Sequence, residues 1–224
     1  MFGQTRAGFR TLLLMVFAIV VIVPSGMMTQ AKPVEAGSRS CTGWESRRTP
    51  PNYIRVLVTQ TGEVKKVRFK TYVAKVMASG EWPGRLHSQT LKAGAFATMQ
   101  YAWYHSLKGK WRGGVSRGKC YDVVNTTNDQ LFRPGARPVK SQWRAVNAVW
   151  GHTLWKWGTR FFLTGYRAGS TSVCAADAHG WKLYAKSAEN CAKKRNWSWK
   201  RILKKYYSKS FFKISPALKA AQES

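Results

Sequence analysis

An α+β fold, with mixed helices and antiparallel strands in one main domain, is predicted by three observations. Strand-like and helix-like periodicities interleave along the chain, they do so without a regular β-α-β alternation, and the first strand pair is joined by a short turn. In "YIRVLVTQTGEVKKVRF" apolar and polar residues alternate on either side of Thr61-Gly62, which predicts strands over 54–58 and 64–69. "KTYVAKVMAS" then sets Tyr72, Val73, Val76 and Met77 on one helical face, and Gly80 is placed to end that helix. A second helix runs to Ser106 with Ser88 as its N-cap; Leu91, Ala95, Thr98 and Ala102 form a narrow stripe beside Phe96, Met99 and Trp103. Its small residues, Ala93, Gly94, Ala95 and Ala97, predict a closely packed neighbour.

"KGKWRGGVSRGKC" is a basic, glycine-rich loop, and a third helix over 142–150 ends at Gly151. A hairpin over 153–157 and 159–164 turns at Gly158. A last helix, "WKRILKKYY", is capped by Ser198 and turns Ile202, Leu203 and Tyr206 inward. Four segments follow from this pattern: 1–36, a leader or N-terminal anchor; 37–52, a polar linker tethered at Cys41; 53–172, the main domain; and 173–224, a segment packed on that domain or a binding appendage.

The chain's 224 residues, 44% of them hydrophobic, suffice for a real core, and its 38 Lys and Arg against 9 Asp and Glu give a net charge of +29. Such a field attracts polyanions over about 8 Å at physiological salt. The compartment is indicated at the N-terminus, where Arg6 and Arg10 precede an unbroken apolar run from Leu12 to Val23 and small-residue sites end at Ala31 and Ala36. That is the pattern of a secretory signal, with an uncleaved anchor as the alternative, and either one puts the body of the chain outside the cytoplasm. Cys41, Cys120, Cys174 and Cys191 suit that compartment as two disulfides, and the pairing Cys41–Cys120 with Cys174–Cys191 is favoured among three possibilities. None of the four sits at metal-ligand spacing, which argues against a zinc site.

Signatures of the common hydrolases, nucleotide-binding folds and zinc proteases are absent from the sequence, and His87, His105, His152 and His179 are scattered. Glu81, Asp122 and Asp129 are the acids embedded in the ordered middle. A carboxylate at the end of an apolar helix, beside Trp82, is open to desolvation, which raises its pKa and suits general-acid chemistry; the basic field pushes the other way. The eleven tryptophans offer flat platforms for sugar rings, though Trp103 and Trp150 sit on helical stripes as core residues do.

Four blocks in order, "IRVLVTQTGEVKKVRFKTYVAKVMASGEWP", "LKAGAFATMQYAW", "YDVVNTTNDQLF" and "AVNAVWGHTL", resemble the stage II sporulation protein D family, which includes amidase enhancers. The matching residues are Tyr72, Val73, Val76, Glu81 and Pro83; Leu91, Lys92, Ala93, Ala95, Tyr101 and Ala102; and Asp122, Thr126, Gln130 and Phe132. Enzymes of that family are lytic transglycosylases of peptidoglycan, so the resemblance implies Glu81 as the catalytic acid and base. It implies substrate contacts at Lys92, Tyr101, Asp122, Thr126 and Gln130, at Gly169 in "TGYRAGST", the equivalent of a glycine-rich segment, and at Trp82 beside the catalytic acid. The chain departs from the pattern in four places, one of them the family's Ser-Gly-Gly-rich segment, which is changed to "TGYRAGST". The interval from Tyr72 to Glu81 is one residue longer, an insertion that would shift the acid relative to the cleft. Gly94 and Met99 stand where Gln and Arg are common, and Val124, Asn128 and Asp129 stand where the family often has Cys and His, so no metal and no cofactor are expected.

Two further function classes compete with the enzyme. One is a non-catalytic wall-binding module that recruits or stimulates an amidase. The other is a nucleic-acid-binding protein, against which export and the absence of a recognition motif both argue. The expected partners are peptidoglycan glycan strands, anionic wall polymers and a partner wall amidase, with no specific nucleic acid.

Overall fold

A computed structural model describes residues 41–208 and 212–215; the leader or anchor over 1–36 lies outside the described residues. Strands β1 (Tyr53–Val58) and β2 (Glu63–Arg68) form the predicted hairpin, with Gly62 at φ +68 in the turn. Ile54, Val56 and Val58 are buried at alternate positions, which fixes the face that β1 presents to the core. Helix α1 (Phe69–Val76) follows at once and runs into a π turn, Met77–Glu81. Helix α2 (Ser88–Ser106) is the centre of the molecule. The basic loop folds as a small hairpin of β3 (Gly114–Ser116) and β4 (Lys119–Tyr121), and β5 (Val123–Val124) then joins the first sheet.

Helix α3 (Lys140–Val149) precedes the hairpin of β6 (Thr153–Lys156) and β7 (Arg160–Phe161). That hairpin turns through the three residues Trp157, Gly158 and Thr159 between the paired Lys156 and Arg160, with Trp157 and Gly158 at φ +52 and +74. Then come β8 (Gly165–Arg167), β9 (Lys182–Tyr184), α4 (Ala185–Arg195), α5 (Trp199–Tyr207) and β10 (Phe212–Ser215), which pairs with β6. The α+β class holds, and the disulfides are Cys41–Cys120 and Cys174–Cys191. The strands are not all antiparallel: β5 pairs with β1, and β8 with β9, in parallel.

Three local expectations are corrected by packing. Fourteen of the nineteen residues of α2 are buried, so it is covered all round, where a stripe predicts one buried face. α1, α3, α4 and α5 all pack against it. The N-cap of α2 is His87, whose Nδ1 accepts from the Gln89 N–H at 3.3 Å, while Ser88 is already helical. The polar linker tethered at Cys41 is packed beyond that tether, since Trp44 lies against the end of α2: Trp44 N–H donates to the Ser106 carbonyl at 2.6 Å, and Lys108 N–H donates back to the Trp44 carbonyl at 2.7 Å.

The C-terminal segment is a layer of the same core. Ala188, Cys191, Ala192, Ile202, Leu203, Tyr206 and Tyr207 are buried in it. Glu189 fastens that layer to α2, since both its oxygens accept from the His87 N–H at 3.0 Å and it pairs with Lys193 at 2.9 Å. Burial raises its pKa, but the Lys193, Thr90 and His87 hydrogen bonds outweigh burial and hold it below the usual value. Among the described residues no helix is long and apolar enough to cross a membrane.

Candidate active site

The site is organised by the turn that ends at Glu81. It is a π turn, with Trp82 N–H donating to the Met77 carbonyl at 3.2 Å, and Gly80 at φ +117 makes the exit. A π turn adds one residue without altering the helix before it, and such bulges collect at functional sites.

The π turn is held by an extended segment that follows β5. Ser79 Oγ donates to the Lys75 carbonyl at 2.7 Å and accepts from the Arg133 N–H at 2.9 Å. Glu81 Oε1 accepts from the Leu131 N–H at 2.6 Å. Between them, Phe132 N–H points the other way, to the Asn125 carbonyl at 3.2 Å. The period of two in an extended chain thus presents two N–H groups to the π turn.

The other carboxylate oxygen of Glu81, Oε2, accepts from the Tyr166 hydroxyl. That donor is oriented from behind. Gln130 Nε2 donates to the Thr98 carbonyl at 3.1 Å, which can only accept, so the amide has one allowed orientation. Its Oε1 therefore accepts from the Tyr72 hydroxyl at 3.0 Å, and Nε2 also donates to the Tyr166 oxygen at 3.0 Å. With its oxygen serving as acceptor, Tyr166 turns its own proton toward Glu81. Tyr72 and Tyr166 both have pKa values raised well above 10, by burial first and then by Glu81, so both stay protonated donors.

The Glu81 carboxyl is itself raised above its ordinary value of 4.5. Burial is the largest cause; the Tyr166 hydroxyl, the Leu131 N–H and the Arg167 charge all pull down and are outweighed. Both oxygens of this raised carboxyl have a donor, but the Leu131 N–H on Oε1 is fixed backbone while the Tyr166 donor on Oε2 is a hydroxyl that can rotate, so Oε2 is the atom suited to proton exchange.

A second cluster lies across the Tyr166 ring. Tyr101 meets that ring edge-on at 6.5 Å, donates to Asp129 Oδ1 at 3.3 Å and accepts from Arg112 at 3.2 Å. Arg112 also pairs with Asp129, whose Oδ2 takes the Val124 N–H at 2.7 Å. Burial, followed by Asp129, pushes Tyr101 up to about 12. His105 stacks against Tyr101 at 4.6 Å, and burial with Arg112 lowers it to about 4. The positions at which a metal would be expected do not fit one, since Val124 and Asn128 stand there and Asp129 is taken up by Arg112. Among the described residues no group of three or more His, Cys, Asp or Glu is placed to hold a metal ion.

The predicted substrate contacts divide. Lys92, Tyr101 and Thr126 are half-buried, and the Tyr101 hydroxyl is held between Asp129 and Arg112. Gly169, at φ +85, has Tyr184 and Asp177 within 3.3 Å of where a Cβ would stand, so a turn and a close approach both require glycine there. Three expectations are corrected. Trp82 is fully buried and packs on Tyr166 at 5.5 Å, so it forms the wall behind the acid and shows no face to a sugar. Asp122 is 5% exposed and fully used, by Arg55 N–H and guanidinium and by Trp111 Nε1 at 3.0 Å; it fastens β1 to the chain before β5. Gln130 is wholly buried and orients Tyr166.

Sequence reasoning missed Tyr166, Leu131 and Arg112. Tyr166 stands in the quoted "TGYRAGST", but nothing local says that β8 and β9 will carry it to Glu81 across 85 residues.

A search of curated proteins finds no match to this chain. Residues 58–155 match the family model SpoIID, stage II sporulation protein. The match contains Tyr72, Glu81, Gln130 and Leu131, and stops short of Tyr166. Across residues 58–155, therefore, the chain is similar to the stage II sporulation protein family, and the partly buried Glu81 at the end of the first helix lies within that match.

Proposed function

We propose that the protein cleaves peptidoglycan glycan strands as a lytic transglycosylase, with Glu81 as general acid and then general base. The family suggests a sporulation-related role at the cell wall, and the two disulfides fit a place outside the cytoplasm. The reading rests on one observation: the Glu81 carboxyl is raised by burial while Leu131 N–H and Tyr166 O–H fix its two oxygens.

The chemistry needs one carboxyl, where ordinary glycoside hydrolysis needs two. Glu81 Oε2 gives its proton to the glycosidic oxygen as the bond from C1 of the muramyl residue breaks, and the leaving sugar departs with a new hydroxyl. The muramyl C6 hydroxyl attacks C1, a 1,6-anhydro ring closes, and the hydroxyl proton passes to Glu81, which ends as it began. Water is not consumed. Tyr166 donates to the carboxylate during the interval in which it is charged, the moment at which a buried anion most needs a donor.

The test is mass spectrometry of glycan strands, with and without stem peptides, after incubation with the protein and with Glu81→Gln. Anhydro-muramyl ends are expected from the wild type, and a loss of at least about 10³-fold in Glu81→Gln with strand binding retained. Intact strands bound equally by both proteins would replace this reading with that of a recruiting module.

A further inference from the structure

Beyond the SpoIID match, two adjoining hollows open where α4 ends and α5 begins, of about 700 and 530 Å³. Trp197, Arg201 and Lys205 line both; Lys194 and Arg195 add to the first and Lys204 to the second. Among the described residues no Asp or Glu lines either one, and none of these five cations forms an ion pair. The acids on the packed elements are engaged elsewhere, Glu189 with Lys193 and His87, and Asp177 with Ser187 at 2.6 Å.

Helix polarity accounts for some of these charges and not for others. Lys194 and Arg195 suit the carbonyl end of α4, but Arg201 sits in the first turn of α5, where the helix dipole disfavours a cation. Arg201 is nevertheless held in place, its guanidinium 4.5 Å from the centre of the Trp197 ring. Trp197 is fixed in turn by the left-handed Asn196 and by its N–H to the Cys191 carbonyl at 3.2 Å, beside the Cys174–Cys191 bridge that walls the first hollow. A preset planar fork with point charges on both sides matches successive phosphates better than one isolated anion.

We propose that this trough binds a linear sugar- or polyol-phosphate polymer through its phosphodiesters, and so holds the protein on an anionic wall polymer independently of Glu81. Nucleic acid carries the same phosphates but gains from base stacking, and this trough offers no platform for it. Arg201 covers Trp197, and among the described residues no other Trp, Tyr or Phe lines either hollow.

The experiment is calorimetric titration with a short poly(glycerol phosphate) and, separately, with oligothymidine of matched phosphate number, at several salt concentrations. The proteins are the wild type, Glu81→Gln, the triple variant Lys194→Gln/Arg201→Gln/Lys205→Gln, and a charge-matched control, Arg47→Gln/Arg48→Gln/Arg137→Gln. The triple variant is expected to bind poly(glycerol phosphate) at least about tenfold more weakly, with a salt slope lower by about 2. The control and Glu81→Gln are expected to stay within about twofold of the wild type, and Arg201→Lys, which keeps the charge and loses the fork, to weaken binding severalfold. An equal loss in the triple variant and the control would reduce the effect to net charge and overturn the proposal. Oligothymidine bound as tightly as the polymer, with the same loss in the triple variant, would overturn it in favour of nucleic acid.

Discussion

At the scale of single residues, the site turns on which donor each oxygen of Glu81 faces. Tyr166→Phe removes a hydrogen bond that lowers the Glu81 pKa, so that pKa rises further. A general acid works while protonated, so the alkaline limb of the activity profile should move to higher pH in Tyr166→Phe, with turnover reduced because the charged interval loses its donor. An unmoved limb would remove Tyr166 from the mechanism. Stability carries the same signature. A carboxyl raised in the folded state contributes stability below its unfolded pKa and loses it as pH rises through the folded value. The unfolding temperature of Glu81→Gln relative to wild type should therefore climb as pH is raised from about 4 toward neutrality.

At the scale of the element, the π turn and its neighbour α2 act as one fitted pair. Gly80 has nothing within 4 Å of where a Cβ would stand, so Gly80→Ala meets no clash and tests backbone conformation alone at φ +117. A loss of about 1–3 kcal/mol by denaturant unfolding is expected, with a larger proportional loss of activity, because the turn aims Glu81. Gly94→Ala is the complementary case. Its Cβ would stand 2.3 Å from the Trp82 ring, which is fully buried and has nowhere to go. Overpacking of this kind costs about 1–3 kcal/mol, and a normal melting temperature in Gly94→Ala would show that Trp82 has room. Gly94 is thus the counterpart of the large Trp82, which its missing side chain leaves room for.

At the scale of the whole molecule, layers distant in sequence are joined by a few buried polar contacts. Lys156, 1% exposed, donates to the Gly180 carbonyl at 2.6 Å and lies 4.0 Å over Phe162, tying β6 to the chain before β9. Burial lowers its pKa from 10.5 to about 8. The unfolded chain therefore binds the extra proton between those values, and this group's contribution to stability rises with pH across that window. Thermal unfolding should show the gap between wild type and Lys156→Met shifting in favour of the wild type as pH is raised through it. A gap independent of pH would mean that the lysine is solvated.

The helices α1, α2, α3 and α5 and the β1–β2 and β6–β7 hairpins were legible in the sequence because each rests on local periodicity, a turn or a cap, and Glu81 was legible through the motif around it. Helix α4 was not, because its buried stripe is only Ser187, Ala188, Cys191 and Ala192, too small to show as a pattern and completed by a disulfide. Parallel pairing of β8 with β9, burial of α2 on every side, and the chain from Tyr72 through Gln130 and Tyr166 to Glu81 were likewise beyond local signals. The sequence by itself determined the class, four of the five α-helices among the described residues, two hairpins and Glu81 as the candidate acid. Only the tertiary structure decided what the acid faces, because burial and hydrogen-bond partners belong to segments that meet in space and are unrelated along the chain.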